Sequence, residues 1–205
     1  RCTISSALRN ASRSAPASAR TSRRTYLHAR LTPPSAPTRR PPLLVASDAQ
    51  AKPGRQPTGV DLVRDPLTDA RSGRVTAFSQ SLLAAWGYGP RQLAEGSKPI
   101  MPCEAAMFPL FLREYAELVS GRCILYFLHN APALHGFVKG GSSNAPLGRS
   151  IQIAHLLAAA SGAQPWFKFV DGAANWSDGA SRQSFLYKFS RDSGFVLVRA
   201  RVPAH

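Results

Sequence analysis

The sequence predicts an α/β protein with a mixed five-stranded sheet flanked by helices and preceded by a basic arm. Short apolar or alternating segments typical of strands recur along the chain, and segments with apolar residues at helical spacing lie between them. Three strands come first, and the later strands alternate with helices, an order typical of α/β proteins. The 205 residues, 44% of them hydrophobic, are enough for one domain of about 150 residues plus a tail.

Three strands are expected at the start of the domain. The apolar run 43–46 ends just before Asp48, which predicts a buried strand with an acidic residue at its end. Segments 59–63 and 74–78 flank the turn-rich stretch 65–73, which contains Pro, Asp and Gly. Such a pair of short strands around a turn predicts a hairpin.

Helices and strands alternate in the rest of the domain. Segment 103–119 is apolar at helical spacing, and its Pro109 is tolerated in a first turn or at a bend. The continuous apolar run 123–128 suits a central strand that is covered on both faces. Segment 166–170 alternates and is aromatic, which indicates another strand. Further helices are expected at 131–138, at 147–160 and after a cap formed by Ser177 and Asp178.

The net charge of +15 is concentrated near the N-terminus, because the first 47 residues hold nine arginines and no acidic residue. Residues 1–42 are mainly Arg, Ser, Ala, Pro and Thr, which predicts a disordered arm. Three interpretations of the arm stay open: a nonspecific linker or fragment end, an organellar transit peptide over 1–40, and a tail that binds nucleic acid. A surface this basic favours polyanionic partners such as nucleic acid.

Cysteine usage and hydropathy limit the environment of the chain. Cys2, Cys103 and Cys123 match neither a zinc-ligand spacing nor an even-numbered disulfide framework, which favours a reducing compartment. No apolar run approaches the roughly 18 to 20 residues that cross a bilayer. We therefore expect a soluble intracellular protein that has no membrane partner.

Three acidic residues lie at or near the ends of predicted strands and helices. Asp48 ends the first strand, Glu104 lies in 102–106 at the start of a helix, and Asp178 lies in the motif Asn-x-x-Asp-x-x-Ser-Arg at 175–182. Residues 41–182 resemble the RNase H domain of reverse transcriptases from retrotransposons, of the DIRS type or related elements. The resemblance implies an RNase H-like domain at 43–182 and a C-terminal extension at 183–205, where 194–198 would add an edge strand or continue toward another domain.

The resemblance also implies a reaction and its site residues. The family cleaves the RNA strand of RNA–DNA hybrids with two divalent metal ions, Mg²⁺ or Mn²⁺, held by four carboxylates. Asp48, Glu104 and Asp178 match three of them. At the fourth position, after strand 123–128 and before Asn130, this chain has His129 in place of Asp. The implied catalytic and metal-binding residues are therefore Asp48, Glu104, Asp178 and His129.

His129 changes the expected chemistry. Two divalent ions about 4 Å apart repel by about 16 kcal/mol at an effective dielectric near 20, and bridging carboxylates must offset this. A neutral imidazole removes one negative charge, and its nitrogen suits Mn²⁺ or Zn²⁺ better than Mg²⁺. We expect impaired catalysis. The alternative is a noncatalytic nucleic-acid-binding or structural protein derived from such a domain.

Taken singly, each of the four residues also fits a plain structural role, as a turn residue, a first-turn helix acid, an N-cap or a histidine at a strand end. Only their joint placement favours an active site. The chain also lacks the Tyr-x-Asp-Asp motif of a polymerase, so a polymerase portion would lie outside these residues.

Overall fold

The computed structural model describes residues 40–52, 55–181 and 186–201. The predicted arm lies almost entirely outside the described residues, as does Arg182 at the end of the closing motif. Six strands are described: β1 Leu43–Gln50, β2 Thr58–Asp65, β3 Ala70–Ala77, β4 Cys123–Leu128, β5 Gln164–Phe169 and β6 Val196–Arg201. The α-helices are α1 Gln80–Ala85, α2 Pro90–Ala94, α3 Ile100–Glu114, α4 Ala116–Val119, α5 Ala131–Lys139, α6 Ala145–Ser161, α7 Trp176–Ser181 and α8 Leu186–Ser193.

The strands form one mixed sheet in the order β5-β4-β1-β2-β3-β6. β1, β2 and β3 pair antiparallel, as the predicted hairpin requires, whereas β4 pairs parallel to both β1 and β5. The five predicted strands are all present, and the α/β class is confirmed. The sheet has one strand more than predicted, because β6 from the C-terminal extension pairs parallel to the outer edge of β3.

Helices α5 and α6 begin and end at local sequence signals. The Asn130 side chain accepts a hydrogen bond from Ala133 N–H at 3.0 Å, and Gly140 ends α5 with a φ of 77°. α6 has the same arrangement, with Asn144 at its N-cap and Gly162 after its last turn. These caps satisfy backbone groups that a helix leaves open at its ends. Both helices match the predicted 131–138 and 147–160 closely.

The predicted helix 103–119 is divided in the structure. α3 starts earlier, at Ile100, and Tyr115, with a φ of −107° and a ψ of 32°, separates it from α4. Pro109 lies in the interior of α3 rather than in its first turn, and the residues after it stay helical to Glu114. Because proline has no N–H, the turn at Pro109 lacks one backbone hydrogen bond. Burial of nearly the whole length of α3 against the sheet offsets this loss.

The core has two layers on opposite faces of the sheet. The larger layer lies under α3, α5 and α6 and contains a cluster of aromatic side chains, which includes Phe108, Tyr126 and Phe137. The smaller layer lies under α7 and α8 and contains Leu62 and Phe195. In the part of the chain that the structure describes, no helix is long and apolar enough to cross a membrane.

Two buried ion pairs anchor β2. Arg74 on β3 contacts Asp61 at 2.9 Å, and Arg122 contacts Asp65 at 3.0 Å. Arg122 also donates to the carbonyl of Pro41 at 3.0 Å, so it joins the start of β4 to the chain entering β1. Burial raises the pKa of Asp61 to about 6, against the lowering effect of Arg74. Such pairs are costly to break, because the remaining partner stays buried without compensation.

Candidate metal centre

Strand register brings Asp48 and His129 side by side. β1 and β4 are parallel neighbours, and Ala46 lies opposite Phe127 in their register. Asp48 is two residues beyond Ala46, and His129 is two residues beyond Phe127. Both residues therefore lie at the same level along neighbouring strands, where β4 ends at Leu128. The Nδ1 atom of His129 lies 3.3 Å from Oδ1 of Asp48.

Glu104, on α3, completes the group. It lies in the first turns of α3, which packs on β1, and its Oε1 atom is 3.2 Å from Nε2 of His129. One ligand atom from each of Asp48, Glu104 and His129 lies within 4.8 Å of the other two. Both carboxylates are buried, whereas the side chain of His129 is 31% exposed, so the group opens toward solvent on the histidine side.

The contacts of His129 cannot all be ordinary hydrogen bonds of a neutral ring. A neutral imidazole has one N–H, yet each ring nitrogen faces a carboxylate oxygen. Nδ1 also lies 3.4 Å from the side-chain amide nitrogen of Asn175. If Nδ1 accepts a hydrogen bond from that amide, it carries no proton to donate to Asp48. Its lone pair then faces the carboxylate oxygen, and the two repel each other. A cation among the three side chains removes this conflict.

Burial and charge act strongly on Glu104. Burial, together with the nearby charge of Asp48, raises the pKa of Glu104 to about 8, although a hydrogen bond from Asn130 opposes the shift. The second carboxylate oxygen, Oε2, is buried and has no hydrogen-bond partner among the residues that the structure describes. An acceptor of this kind costs free energy unless a proton or a cation satisfies it.

Asn175 connects the closing motif to the centre. Its Nδ2 atom donates to the carbonyl of Ser47 at 3.2 Å, and its Oδ1 accepts from Ser177 N–H at 3.2 Å and Ser177 O–H at 2.6 Å. Asn175, just before Trp176, therefore binds the first turn of α7, where the sequence predicted a cap from Ser177 and Asp178. The same side chain holds α7 against the end of β1, next to Asp48.

Asp178 does not belong to the three-residue group. It is half-buried in the first turn of α7, which packs on β1 and β2. Among the described residues, the group that could hold a metal ion contains Asp48, Glu104 and His129 but not Asp178. The structure thus brings three of the four predicted residues together, and a metal-binding role for Asp178 stays a prediction.

The donor set fits one divalent ion. Atoms that are each about 2.1 Å from one ion lie at most about 4.2 Å apart, and the observed limit of 4.8 Å is slightly wider. Two carboxylates and one imidazole suit Mn²⁺ or Zn²⁺, whereas Mg²⁺ prefers oxygen ligands. The partnerless Oε2 of Glu104 is a further oxygen that an ion would satisfy.

Two residues that support the centre were absent from the predicted set. Asn130 caps α5 and donates to Glu104, and Asn175 caps α7 and binds β1. Asparagine directly before a helix is a recognisable capping signal, so the helix ends could have been found from the sequence. The contacts with Glu104 and Ser47 depend on the tertiary fold and leave no local signal.

Neither a protein-family model nor a curated protein sequence matches the chain. Solved structures do match. The N-terminal RNase H domain of a Mycobacterium tuberculosis protein, solved as a fusion with maltose-binding protein, has a TM-score of 0.50 at 10% identity, over 74% of this chain and 97% of that one. RNase H1 from Halobacterium salinarum has a TM-score of 0.48 at 11% identity, over 74% of this chain and 99% of that one. The likeness to the Mycobacterium domain makes the fold RNase H-like, and at 10% identity this likeness concerns the fold alone.

Proposed function

We propose that this RNase H-like domain belongs to a retroelement reverse transcriptase and hydrolyses the RNA strand of RNA–DNA hybrids with divalent metal ions. We further propose that its activity in Mg²⁺ is impaired by His129. The observation that carries the proposal is the convergence of Asp48, Glu104 and His129 at the carboxyl ends of β1 and β4. The Mycobacterium domain that shares the fold is named an RNase H domain, which supports the same substrate class.

Each residue has a distinct part in the proposed reaction. Asp48, Glu104 and one nitrogen of His129 hold an ion that, when bound, stabilises charge on the phosphate and lowers the pKa of a water. Asn130 donates to Glu104 and orients that carboxylate. Asn175 fixes the end of β1, so that Asp48 keeps its position beside α7. The exposed side of His129 faces solvent, where a phosphate backbone would approach.

The second ion of a two-metal reaction would be held less firmly than the first. Two ions require several bridging negative charges, and here one position carries an imidazole in place of a carboxylate. Asp178 would have to supply the remaining carboxylate, and it lies outside the three-residue group. We therefore propose firm binding of one ion and weak binding of the second. These same two features favour the alternative function, a noncatalytic module that binds nucleic acid.

Cleavage of an end-labelled RNA–DNA hybrid tests the proposal. We expect slow cleavage by the wild type in Mg²⁺, faster cleavage in Mn²⁺, and a gain of at least about 10-fold in Mg²⁺ for His129→Asp, about 1.4 kcal/mol of transition-state stabilisation. Glu104→Gln is the control for contaminating nucleases, and it should be inactive in both metals. Wild-type activity in Mg²⁺ equal to that of His129→Asp would refute the impairment.

Two other outcomes separate the remaining alternatives. Hybrid binding without cleavage by either wild type or His129→Asp would favour the noncatalytic module. Absence of hybrid binding would favour a structural role. The proposed retroelement origin has its own test, because transcripts that contain this sequence should continue into a polymerase segment with a Tyr-x-Asp-Asp motif.

A further inference from the structure

The described elements leave one face of β4 and β5 partly open. In β4, the alternate residues Ile124, Tyr126 and Leu128 are buried in the larger layer of the core, under α3, α5 and α6. The residues between them, Leu125 and Phe127, face the other side of the sheet and are only half-buried. On that side α7 packs on β1 and β2, and the described part of the smaller core layer contains no residue of β4 or β5.

The half-buried side chains on this face form one apolar patch. Leu44 on β1, Leu125 on β4 and Trp166 on β5 lie opposite one another in the sheet register, and Phe127 is two residues further along β4. We call these four residues the β4–β5 patch, and all four are half-buried. A continuous apolar run such as that of β4 is typical of a strand that is covered on both faces. The patch therefore has the composition of a covered surface.

The chain that precedes β1 leaves the described domain beside the patch. Arg122, at the start of β4, donates to the carbonyl of Pro41 at 3.0 Å and so fixes the point of entry into β1. Leu44 lies only three residues after Pro41. Trp166 is the patch residue farthest across the sheet, and it is two strand spacings from β1, or about 10 Å.

The arm contains an apolar segment within reach of the patch. Leu31, the last large apolar residue of the arm, is separated from Arg40 by the eight residues 32–39, which can span at most about 28 Å. This length reaches every residue of the patch. A tether this short also keeps the local concentration of the segment in the millimolar range, so that weak apolar contacts are sufficient. The large aliphatic and aromatic residues of 1–39 are Ile4, Leu8, Tyr26, Leu27 and Leu31, and the last three lie together.

We propose that residues 26–31 of the arm dock on the β4–β5 patch and cover its apolar side chains. Tyr26, Leu27 and Leu31 supply the contact from the arm. Charge does not drive the docking, because Lys168, which lies opposite Phe127 in the sheet register, has the same sign as the arginines of the arm. The inference is independent of the proposed function. It assigns to the arm a binding surface on its own domain.

Paramagnetic relaxation in the full chain tests the inference. A nitroxide label is attached at Ala29→Cys after the substitution Cys2→Ser, and the two remaining cysteines are buried. The intensity of the Trp166 indole N–H signal is compared between the oxidised and the reduced label. The indole of Trp86, which packs against Phe78 beside α1, is the internal reference.

Two double variants separate docking from mere proximity. Leu27→Ser/Leu31→Ser removes two side chains of the docking segment. Ile4→Ser/Leu8→Ser is the matched control, because it removes two aliphatic side chains from the same arm. All four positions lie outside the described domain, so the domain itself is the same in every sample.

We expect the oxidised label to weaken the Trp166 signal more than the Trp86 signal in the wild-type arm and in the control. Loss of two leucine side chains from an apolar contact should lower the docking equilibrium constant at least about 10-fold, so Leu27→Ser/Leu31→Ser should restore the Trp166 signal.

Three results would overturn the inference. The first is an equal loss of the Trp166 signal in both double variants, because the point of chain entry alone would then bring the label near β5. The second is no selective loss at Trp166 in the wild-type arm. The third is the same loss in an isotope-labelled chain without nitroxide that is mixed with nitroxide-labelled chain, because a second copy would then cover the patch. None of these results concerns hybrid cleavage, so the proposed function is tested separately.

Discussion

Asn175→Ala should weaken the fold more than the loss of an ordinary helix cap. The Asn175 side chain donates to the carbonyl of Ser47 and accepts from both the N–H and the O–H of Ser177. The side chain of Ser177 is fully buried and Ser47 is 2% exposed, so water cannot replace these bonds. Alanine therefore leaves three buried polar groups without partners.

The size of the effect follows from those three groups. A typical hydrogen bond contributes about 1 kcal/mol, and a buried group left unsatisfied costs about 1–3 kcal/mol. We expect Asn175→Ala to lower the free energy of unfolding by about 3–5 kcal/mol, which is a large part of the total for a domain. Asn144→Ala is the matched control, because Asn144 is half-buried and accepts one cap bond, from Leu147 N–H at 3.1 Å. Its expected cost is about 1 kcal/mol.

Urea denaturation followed by circular dichroism measures both variants. With a typical slope of about 2 kcal/mol per molar, the midpoint for Asn175→Ala should fall by roughly 1.5–2.5 M and that for Asn144→Ala by about 0.5 M. If the two variants lose the same free energy, the bond from Asn175 to β1 adds no stability, and the reasoning about buried partners is wrong.

Three further predictions concern other parts of the molecule. Arg122→Met should cost about 3–5 kcal/mol in urea denaturation, because it removes the guanidinium paired with the buried Asp65 and leaves that carboxylate only its bond from Leu67 N–H. The hydrogen bond from Arg122 lowers the pKa of Asp65, so the difference in unfolding free energy between wild type and variant should be full above about pH 4 and should shrink as the pH falls further. A difference that grows in acid would contradict this. Gly73→Ala should lower the free energy of unfolding by about 1–3 kcal/mol, because the new Cβ would lie 2.6 Å from leucine methyls of β2 and β6. The control Gly172→Ala, whose Cβ would lie in open space, should change it by no more than about 0.5 kcal/mol. Equal melting temperatures for the two variants would be inconsistent with this packing. Mn²⁺ at 100 times its Kd should stabilise the wild type by about 2.7 kcal/mol in thermal melts, reversibly with EDTA, and an unchanged shift in Glu104→Gln would mean that the ion binds elsewhere.

Local signals predicted most of the fold correctly. The continuous apolar run of β4 and the Asn and Gly caps of α5 and α6 are encoded within a few residues, so their positions could be predicted closely. The short helices α1 and α2 were not predicted. They have six and five residues and lie around Gly87 and Gly89, so they show little periodicity. Their stability comes from packing against residues such as Phe78, which is a tertiary effect.

The candidate site was predicted in part for a similar reason. Asp48 and His129 each follow an apolar run, Asp48 inside β1 and His129 directly after β4, and the parallel pairing of β1 and β4 makes them neighbours. Glu104 lies early in α3, which packs on β1, and the structure has its side chain next to the other two. The position of Asp178 depends on how α7 packs on the sheet. No pattern within its motif specifies that packing, and the structure leaves Asp178 outside the three-residue group.

The sixth strand determines which backbone groups of the sheet face solvent. β6 supplies hydrogen-bond partners along β3 from Ser72 to Ala77, and without it that edge would present a row of open N–H and C=O groups. Open edges of this kind recruit strands from other molecules and promote aggregation. β6 is itself an edge with exposed Val196 and Val198, but Arg199 adds a charge there that discourages pairing between copies. A recombinant domain that stops after α7 should therefore be less soluble than one that includes β6.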